Sequence, residues 1–311
     1  MEVVISAVLT VVGLVMLCFG GNWFVSGGVA IARKFRISNL VIGMTIVAYG
    51  TSTPELAASV AAAGEHSAII LGNIIGSNIA NVGMVIGIAA ILVPLAIHKS
   101  VLRKEIPIML GVSVLLILIS IDGELSNYDG ILLLAGLGVF GYYTFKDAMK
   151  QRKDNKDDIP QGGDNIYLKS AGLIGLGVGL LYIGAILTVD NAVVLAKEFG
   201  LSEKIIGLTV IAIGTSLPEL ITSIIAIRKG HGDIGVGNII GSNIYNILMI
   251  MGVGAALGGV MISADVYVDY AIMIMFSLAL LIGLKTGVIN RVMGVCLAIG
   301  YVTYLVLTFF K

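Results

Sequence analysis

Two motifs occur once in each half of the chain, and this internal repeat is the feature that most constrains the fold. Residues 42–63 match residues 206–227 at 12 of 22 positions. Residues 72–81 match residues 237–246 at 9 of 10 positions. Self-similarity of this kind predicts two copies of one structural unit. Five apolar segments separate equivalent points of the two copies. Because five is an odd number, the second copy is predicted to be inverted across a membrane.

The apolar segments are long enough to form membrane-spanning helices. The chain has 311 residues, of which 58% are hydrophobic and 12% are charged. About 20 apolar residues in a helix cross the ~30 Å hydrocarbon core of a bilayer. We therefore predict an all-α polytopic membrane protein with ten transmembrane helices, arranged as two inverted five-helix repeats. The predicted spans are 3–22, 38–63, 68–95, 104–121, 127–148, 168–187, 203–227, 233–259, 266–284 and 288–309.

The polar stretch in the middle of the chain divides it into two parts. Residues 1–148 are predicted to form the first repeat, residues 149–167 a linker, and residues 168–311 the second repeat. One alternating set of loops carries 16 of the 19 Lys and Arg residues, and the other set, with the termini, carries 3. Cytoplasmic loops collect Lys and Arg. We therefore predict a multi-pass cell-membrane protein with both termini outside and the linker in the cytoplasm.

Each copy of the first motif places one carboxylate deep inside an apolar span, at Glu55 and at Glu219. A charged carboxylate at the centre of a bilayer costs about 2.5–3.5 kcal/mol on insertion scales. No Lys or Arg lies at that depth to pair with these residues, since those within the predicted spans all lie within four residues of a span end. The chain is therefore expected to neutralise them with bound cations or with protons. The structural alternative is a protonated glutamic acid that bridges two helices.

A proline precedes each of these carboxylates, at Pro54 and Pro218. Proline removes the helical hydrogen bond to the carbonyl four residues back, which here belongs to Gly50 or Gly214. We expect each helix to unwind locally at this point and to turn carbonyl oxygens inward. Irregular backbone is tolerated at this depth where it lines a cavity. A simple packing kink is the alternative.

The second motif supplies hydroxyl and amide side chains. Ser77 and Asn81 are four residues apart and therefore share one helical face, with Asn73 one turn earlier. The second copy supplies Ser242, Asn246 and Asn238 in the same pattern. Asn78 and Asn243 also belong to the motif, but amides in spans often only join helices to one another. For these two residues a purely structural role is the preferred interpretation.

The candidate ligands are all oxygen atoms, which suits hard cations such as Na⁺, Ca²⁺ or Mg²⁺. The three histidines, His66, His98 and His231, are predicted to lie in loops, so no histidine metal site is expected in the membrane. No pairing of a nucleophile with a base is recognisable, so an enzyme is not expected. The net charge is zero and there is no basic patch, which argues against nucleic acid as a partner. No cofactor and no obligate protein partner is indicated.

The paired motifs Gly-Thr-Ser-X-Pro-Glu and Gly-Asn-X-Ile-Gly-Ser, in two inverted halves, resemble those of the sodium/calcium exchanger branch of the cation/calcium antiporter superfamily. The resemblance implies a secondary antiporter of the prokaryotic type, with Na⁺ and Ca²⁺ as its substrates. It also implies that the first and sixth spans slide across the rest of the bundle to switch access. The ten-span plan extends the resemblance over the whole chain.

The resemblance further implies the residues that bind the ions. Ca²⁺ would lie between Glu55 and Glu219, with help from the main-chain carbonyls of Thr51 and Thr215. The two implied Na⁺ sites are inverted copies: the Ala48 carbonyl, Thr51, Ser52, Glu55 and Ser77 in the first, and the Ala212 carbonyl, Thr215, Ser216, Glu219 and Ser242 in the second. Asn81 and Asn246 would flank the centre.

Two departures from the family pattern refine this expectation. Some microbial relatives and the potassium-dependent relatives have Asp at the position of Asn246, so K⁺ co-transport is not expected here. Animal exchangers have a large regulatory insert between the halves, whereas this chain has only a short linker. We therefore expect electrogenic exchange of Na⁺ for Ca²⁺ by alternating access. A proton/calcium (or other divalent cation) exchanger and a cation channel remain as alternatives.

Overall fold

The computed structural model describes residues 2–64, 67–97, 101–154, 166–198, 200, 212–282 and 287–309. Its architecture is helical, with four very short strands in the loops. The helices form two halves that correspond to the two copies of the sequence repeat.

The first half is built from eight α-helices, three π-helical stretches and two strands. In chain order they are α1 (Glu2–Phe35), α2 (Asn39–Ile42), a π-helix (Gly43–Val47), α3 (Ala48–Thr51), α4 (Thr53–Ala61), α5 (Ser67–Ala80), a π-helix (Asn81–Ile86), α6 (Gly87–Leu92), β1 (Leu95–Ala96), a π-helix (Val101–Glu105), α7 (Ile106–Ile119), β2 (Glu124–Leu125) and α8 (Asn127–Asp154).

The second half repeats this order within the described residues. In chain order its elements are α9 (Ile166–Glu198), α10 (Ala212–Thr215), α11 (Leu217–Arg228), α12 (Gly232–Tyr245), a π-helix (Asn246–Met251), α13 (Gly252–Gly258), β3 (Val260–Met261), α14 (Val266–Ala279), a 3₁₀ turn (Leu280–Ile282), β4 (Val288–Ile289) and α15 (Arg291–Phe309).

Within the described residues, six helical segments are long and apolar enough to cross a membrane. They are Val3–Phe35, Ser67–Leu92, Asn127–Gln151, Leu168–Leu195, Gly232–Gly258 and Arg291–Thr308. Two shorter apolar helical segments are Asn39–Thr51 and Val266–Ile282. Part of the predicted seventh span, residues 203–211, lies outside the described residues. The multi-pass membrane architecture is thus confirmed, and the count of ten spans stays a prediction.

The first and sixth predicted spans end too early. Helix α1 continues without a break from residue 22, the predicted end, to Phe35. Helix α9 similarly continues past residue 187 to Glu198. Ser26, beyond the predicted end, is accommodated inside α1, because its hydroxyl donates to the Asn22 carbonyl at 2.7 Å. A polar side chain that bonds to its own helix in this way does not terminate it.

Helices α1 and α9 pack against each other through glycines. A Cβ atom added to Gly20 would lie 2.9 Å from the Gly177 carbonyl oxygen, and one added to Gly184 would lie 2.9 Å from the Gly13 carbonyl oxygen. Gly27 repeats the pattern seven residues after Gly20, against the Ser170 carbonyl at 3.0 Å. Small residues at such an interface let two membrane helices approach to backbone contact. The two helices therefore form one closely joined pair.

The helices that carry the second motif lie at the centre of the molecule. The segments Ser67–Leu92 and Gly232–Gly258 are largely enclosed by protein, with 83% of their most apolar stretch buried, whereas 17–28% is buried in the other four long segments. The main hydrophobic core surrounds these two segments and includes Ile74, Ile79, Ile239 and Ile244. The repeated polar motif residues therefore lie in the most buried part of the fold.

Two short antiparallel strand pairs join the halves at their loops. Strand β1 pairs with β4, with Leu95 opposite Ile289. Strand β2 pairs with β3, with Leu125 opposite Val260. Each pair takes one strand from each half, so the strands fix the loops of one repeat to those of the other.

Candidate ion-binding site

The helix that carries each first motif is interrupted at the motif itself. Helix α3 ends at Thr51 and α4 begins at Thr53, and between them Ser52 has φ −83° and ψ 10°. Ser216 breaks the second copy in the same way, with φ −87° and ψ 3°. Both breaks are directly followed by the helical turn that contains the motif proline, which cannot donate to the carbonyl four residues back. The predicted local interruption is therefore present in both halves.

Glu55 and Glu219 lie in the first turns of α4 and α11, and each is only 1% exposed. The free amides and the dipole at a helix N-terminus stabilise negative charge. The two carboxylates come from different halves, and Ser52, three residues before Glu55, donates a hydrogen bond to the Glu219 carboxylate. The structure thus brings together the two acidic residues that the sequence predicted would meet.

Glu219 accepts hydrogen bonds from both halves. Its Oε1 accepts from the Ser52 hydroxyl at 3.1 Å and from the Ser242 hydroxyl at 3.5 Å. Its Oε2 has no hydrogen-bond partner among the described residues. The bond from Ser52 crosses between the repeats, so the site is built at their interface.

The equivalent contacts around Glu55 are different. Glu55 Oε2 and the Ser216 hydroxyl are both buried without a hydrogen-bond partner within the described part of the chain. A buried polar atom left unpaired costs about 1–3 kcal/mol. Two such atoms at one site form a set of oxygens that a cation or a proton could satisfy.

Two asparagines hold the main chain beside the carboxylates. Asn73 Nδ2 donates to the Glu55 carbonyl and to the Ser59 hydroxyl, both at 3.1 Å. Asn238 Nδ2 makes the corresponding bonds, to the Glu219 carbonyl at 3.5 Å and to the Ser223 hydroxyl at 3.0 Å.

Ser59 and Ser223 were not predicted as part of the site, although they occupy equivalent positions in the repeated segments 42–63 and 206–227. Their identity in both copies was the signal that could have revealed them. Both residues are fully buried. Their role is to anchor the asparagine that fixes each glutamate backbone.

Thr51 and Ala48 make bonds within the protein at this site. The Thr51 hydroxyl donates to Asn238 Oδ1 at 3.0 Å and to the Ala48 carbonyl at 3.3 Å. The Ala48 carbonyl also accepts from the Ser52 amide at 3.1 Å. In the second half, Ala212 and Thr215 are the first and last residues of α10. The implied ligands of the first motif therefore lie directly at the helix breaks.

The asparagines of the second motif form a reciprocal network across the two halves. Asn78 Nδ2 donates to the Asn243 carbonyl, and Asn243 Nδ2 donates to the Asn78 carbonyl, each at 3.3 Å. Asn81 Nδ2 donates to Asn243 Oδ1, and Asn246 Nδ2 donates to Asn78 Oδ1, each at 3.0 Å. The side-chain oxygens of Asn81 and Asn246 have no partner among the described residues. These two oxygens are left available toward a ligand, whereas Asn78 and Asn243 are tied to protein groups.

Two methionines complete this network. Asn78 Nδ2 lies 3.7 Å from Met273 Sδ, and Asn243 Nδ2 lies 3.6 Å from Met109 Sδ. Thioether sulfur is a weak acceptor. The methionines belong to α7 and α14, so the network links four helices, and nothing in the motif pattern had pointed to them.

The remaining predicted ligands, Ser77 and Ser242, are buried, with 2% and 0% of their surfaces exposed. They lie one turn before Asn81 and Asn246, the residues at which the helix widens into a π-helical stretch. π-helical stretches inside α-helices occur frequently at functional sites. Sequence reasoning did not predict these stretches.

The donor set consists of two carboxylates surrounded by hydroxyl, amide and main-chain oxygens. Within the ranges that the structure describes, no group of three or more His, Cys, Asp or Glu side chains could hold a metal ion. His231 caps the start of α12 outside the site, as predicted, and His66 and His98 lie outside the described residues. Such a set can bind hard cations through oxygen, with few fixed charges.

Comparison with known proteins identifies the family and the fold. The sequence profile of the family described as sodium/calcium exchanger protein matches residues 5–146 and again residues 169–310. The chain belongs to the sodium/calcium exchanger family. It is 37% identical over 315 residues to the inner membrane protein YrbG of Escherichia coli, covering 98% of this chain and 97% of that protein. It is 33% identical over 352 residues to the sodium/calcium exchanger MaX1 of Methanosarcina acetivorans, covering 99% of each.

Solved structures of another exchanger share this fold. A structure of the sodium-calcium exchanger NCX_Mj, soaked with Na⁺ and Sr²⁺, matches with a TM-score of 0.86 at 33% sequence identity. The match covers 98% of both chains. This member of the exchanger family is therefore an integral multi-pass membrane protein of the cation antiporter type.

Proposed function

We propose that this exchanger moves Na⁺ and Ca²⁺ in opposite directions by alternating access. The observation that carries the proposal is the pair Glu55 and Glu219, buried at the interface of two repeats and joined across it by the bond from Ser52 to Glu219. Two buried carboxylates without a basic partner need compensating positive charge. Cations supplied from either side of the membrane would provide it.

The proposed ligands follow the inverted repeat. Ca²⁺ would bind between Glu55 and Glu219, assisted by the main-chain carbonyls of Thr51 and Thr215. One Na⁺ would use the Ala48 carbonyl, Thr51, Ser52, Glu55 and Ser77, and another the Ala212 carbonyl, Thr215, Ser216, Glu219 and Ser242. Asn81 and Asn246, with their unpartnered oxygens, would lie at the centre. The Thr51 hydroxyl donates its proton to Asn238, so the lone pairs of its oxygen remain free for a cation.

The charges of the site favour electrogenic exchange that does not need K⁺. Two carboxylates are neutralised by one Ca²⁺ or by two Na⁺. A third Na⁺ would add one net positive charge, and each such charge feels about 2.3 kcal/mol per 100 mV. Asn246 is neutral, so it offers no further negative charge for a K⁺ ion.

The proposed topology has ten crossings, with residues 1–148 as the first repeat, 149–167 as a cytoplasmic linker and 168–311 as the inverted second repeat. Both termini would then lie outside. The excess of Lys and Arg in one set of loops supports this orientation.

Proton coupling is the principal alternative, because protons could also neutralise the two glutamates. The hydroxyl groups of Ser52, Ser216, Ser77 and Ser242 favour Na⁺, since they serve a cation as ligands but a buried carboxylic acid does not require four of them. A channel would conduct without a counter-ion.

The test is Ca²⁺ uptake by liposomes that contain the purified protein. Liposomes loaded with Na⁺ are diluted into Na⁺-free medium with radiolabelled Ca²⁺. We expect uptake that requires internal Na⁺, is unaffected by K⁺ and is abolished by a sodium ionophore. Uptake driven by a proton gradient without Na⁺ would instead assign proton exchange, and uptake without any counter-ion gradient would assign a channel.

A further inference from the structure

The α1–α9 pair packs against the remaining helices through contacts outside the main core. Leu17, Phe24 and Leu181 of the pair belong to a small hydrophobic cluster, separate from that core, which also contains Ala226 of α11 and Ile234 of α12. The boundary between the α1–α9 pair and the remaining helices, the bundle, is called the seam. A cavity of about 360 Å³ lies along the seam, with Phe24 on the side of the pair and Tyr245 on the side of the bundle. The cavity leaves the pair and the bundle loosely packed against each other at this point. Loose packing there is suited to movement of the pair relative to the bundle, because rigid bundles rocking against each other produce alternating access.

One lysine bridges this seam. Lys229 follows the last residue of α11, and its Nζ donates to the Ser26 hydroxyl at 2.9 Å and to the Asn22 carbonyl at 3.2 Å on α1. Nearby, α1 also rests on α11 at Gly21, where an added Cβ would lie 3.4 Å from the Thr222 hydroxyl. The lysine bonds are charge-assisted, and such bonds are stronger than those between neutral groups.

The lysine has no counterpart in the first repeat, because the equivalent position in the sequence is Glu65, and the described helix before it is shorter. Helix α4 has 9 residues and α11 has 12. Under the repeat, Ala61, the last residue of α4, corresponds to Ile225, so α11 continues for almost another turn before it reaches Lys229. The α9 residue that corresponds to Ser26 is Asp190, an exposed carboxylate. Symmetry of the repeat therefore does not explain the lysine contact.

The same helix connects the bridge to the ion site. Glu219 lies in the first turn of α11, and Lys229 lies just past its end. Ten residues of helix place the two groups about 15 Å apart along one rod, at 1.5 Å per residue. A shift of α1 along α11 would pull Asn22 and Ser26 away from Lys229. The same shift would change which side of the membrane reaches Glu219.

We propose that Lys229 is a one-sided latch that holds the α1–α9 pair in the position seen here and thereby disfavours opening toward the cytoplasm. The proposal rests on the proposed exchange function and topology, in which this end of α11 is cytoplasmic. Opening to the cytoplasm breaks both lysine bonds, whereas opening to the outside leaves them intact. Lys229 is thus a positioning residue that sets the balance between the two access states and contacts no transported ion.

The first test compares Lys229→Met with the matched control Lys229→Arg. Met keeps most of the side-chain length but cannot donate a hydrogen bond, while Arg retains donors and charge. Loss of about one hydrogen bond shifts a two-state equilibrium about threefold to tenfold. We expect Lys229→Met to lower the apparent KM for Ca²⁺ at the cytoplasmic face by about this factor without lowering it at the external face. Lys229→Arg should stay close to the unmodified protein.

Ser26→Ala provides the second variant, and it carries the test if Lys229→Met does not fold. It removes one of the two acceptors and leaves the lysine in place. We therefore expect it to lower the apparent KM for Ca²⁺ at the cytoplasmic face by a smaller factor than Lys229→Met does. Unchanged KM values at both faces, or equal changes at both faces, would contradict the latch.

A distance measurement separates the latch from the transport assignment. Spin labels are attached through Arg33→Cys on α1 and Lys146→Cys on α8, with Cys18 and Cys296, both free and exposed, replaced by Ser. We expect Lys229→Met and Ser26→Ala each to add a second distance population. If the variants and the unmodified protein give the same distance distribution, the proposed latch is refuted. Absence of Na⁺-dependent flux in the unmodified protein would overturn the proposed function and leave this readout valid.

Discussion

The two halves of the ion site contain the same residue types but bond differently. On one side, Glu219 accepts hydrogen bonds from Ser52 and Ser242. On the other side, Glu55 Oε2 and the Ser216 hydroxyl have no partner among the described residues. The repeated motif therefore determines which atoms line the site. Which of these atoms are paired depends on how the two halves are placed relative to each other.

The asparagine network shows the opposite behaviour. Asn78 and Asn243 make identical bonds to each other, and each also lies beside one methionine sulfur. The centre is thus symmetric where it joins the inner helices and asymmetric where it would bind ions. Under the proposed function, this difference predicts that the asparagines form a fixed frame and that the bonds between hydroxyl and carboxylate groups change during transport.

The largest expected effect comes from removing either carboxylate charge. Glu55→Gln and Glu219→Gln should each abolish Na⁺-dependent Ca²⁺ flux, because one remaining charge cannot balance a divalent cation. Although Glu55 and Glu219 are hydrogen-bonded differently, we expect both variants to lose flux to the same extent. The measurement is liposome uptake, with gel filtration and thermal unfolding to verify that each variant is folded. Full activity in one variant would show that the two carboxylates do not act together.

The motif glycines should differ in their tolerance of a methyl group. A Cβ at Gly214 would collide with the Val189 side chain, and one at Gly50 with the end of the Phe24 ring. The Phe24 ring borders the cavity and can turn aside, whereas valine is short and stiff. Gly214→Ala should cost about 1–3 kcal/mol of stability and Gly50→Ala less.

Thermal unfolding in detergent measures this difference. Val189→Ala is the matched control, because it should restore stability to the Gly214→Ala protein and should not help the Gly50→Ala protein. Equal losses of stability in the two glycine variants would show that Val189 and Phe24 do not determine how well a methyl group is tolerated.

The asparagine frame should respond equally in both halves. Asn78→Ala and Asn243→Ala each remove bonds of the same kind and should each cost about 1–2 kcal/mol. The double variant should cost less than the sum of the single variants, because the two residues share their bonds. The free energy of unfolding of all three variants measures this coupling. Additive losses would contradict a single network.

The smallest effect is expected from the serines, and it tests the asymmetry itself. Without ions, Ser52→Ala should lower stability by about 0.5–1 kcal/mol, because it removes a bond to Glu219. Ser216→Ala removes no bond made by its hydroxyl in this structure and should be close to neutral. The free energy of unfolding of each ion-free variant, compared with that of the unmodified protein, measures both effects. Equal effects of the two serines would indicate that the ion-free site is symmetric.

The sequence could predict much of this architecture, because apolar length and an internal repeat are strong physical signals. Glu55 and Glu219 meet because inverted copies of one motif face each other at the repeat interface. The breaks at Ser52 and Ser216 follow from the prolines, which remove a helical hydrogen bond wherever they occur. These features depend on local chemistry that can be recognised in a single chain.

Other features depend on contacts between distant segments and were not predicted. Helix α1 continues past residue 22 and places Gly27 against α9, a contact with a segment far away in the sequence. Met109 and Met273 join the site only because their helices cross the asparagines. Lys229 reaches α1 from just past the end of α11, a contact that an apolar pattern does not reveal.

The most direct test of the account is a binding competition between the two ions in detergent solution. Calorimetry of Ca²⁺ binding at increasing Na⁺ concentrations measures whether both ions use the same carboxylates. We predict that Na⁺ raises the apparent Kd for Ca²⁺ without limit and that Glu219→Gln removes the competition together with Ca²⁺ binding. Full occupancy by Na⁺ and Ca²⁺ at the same time would contradict the claim that the ions alternate at Glu55 and Glu219.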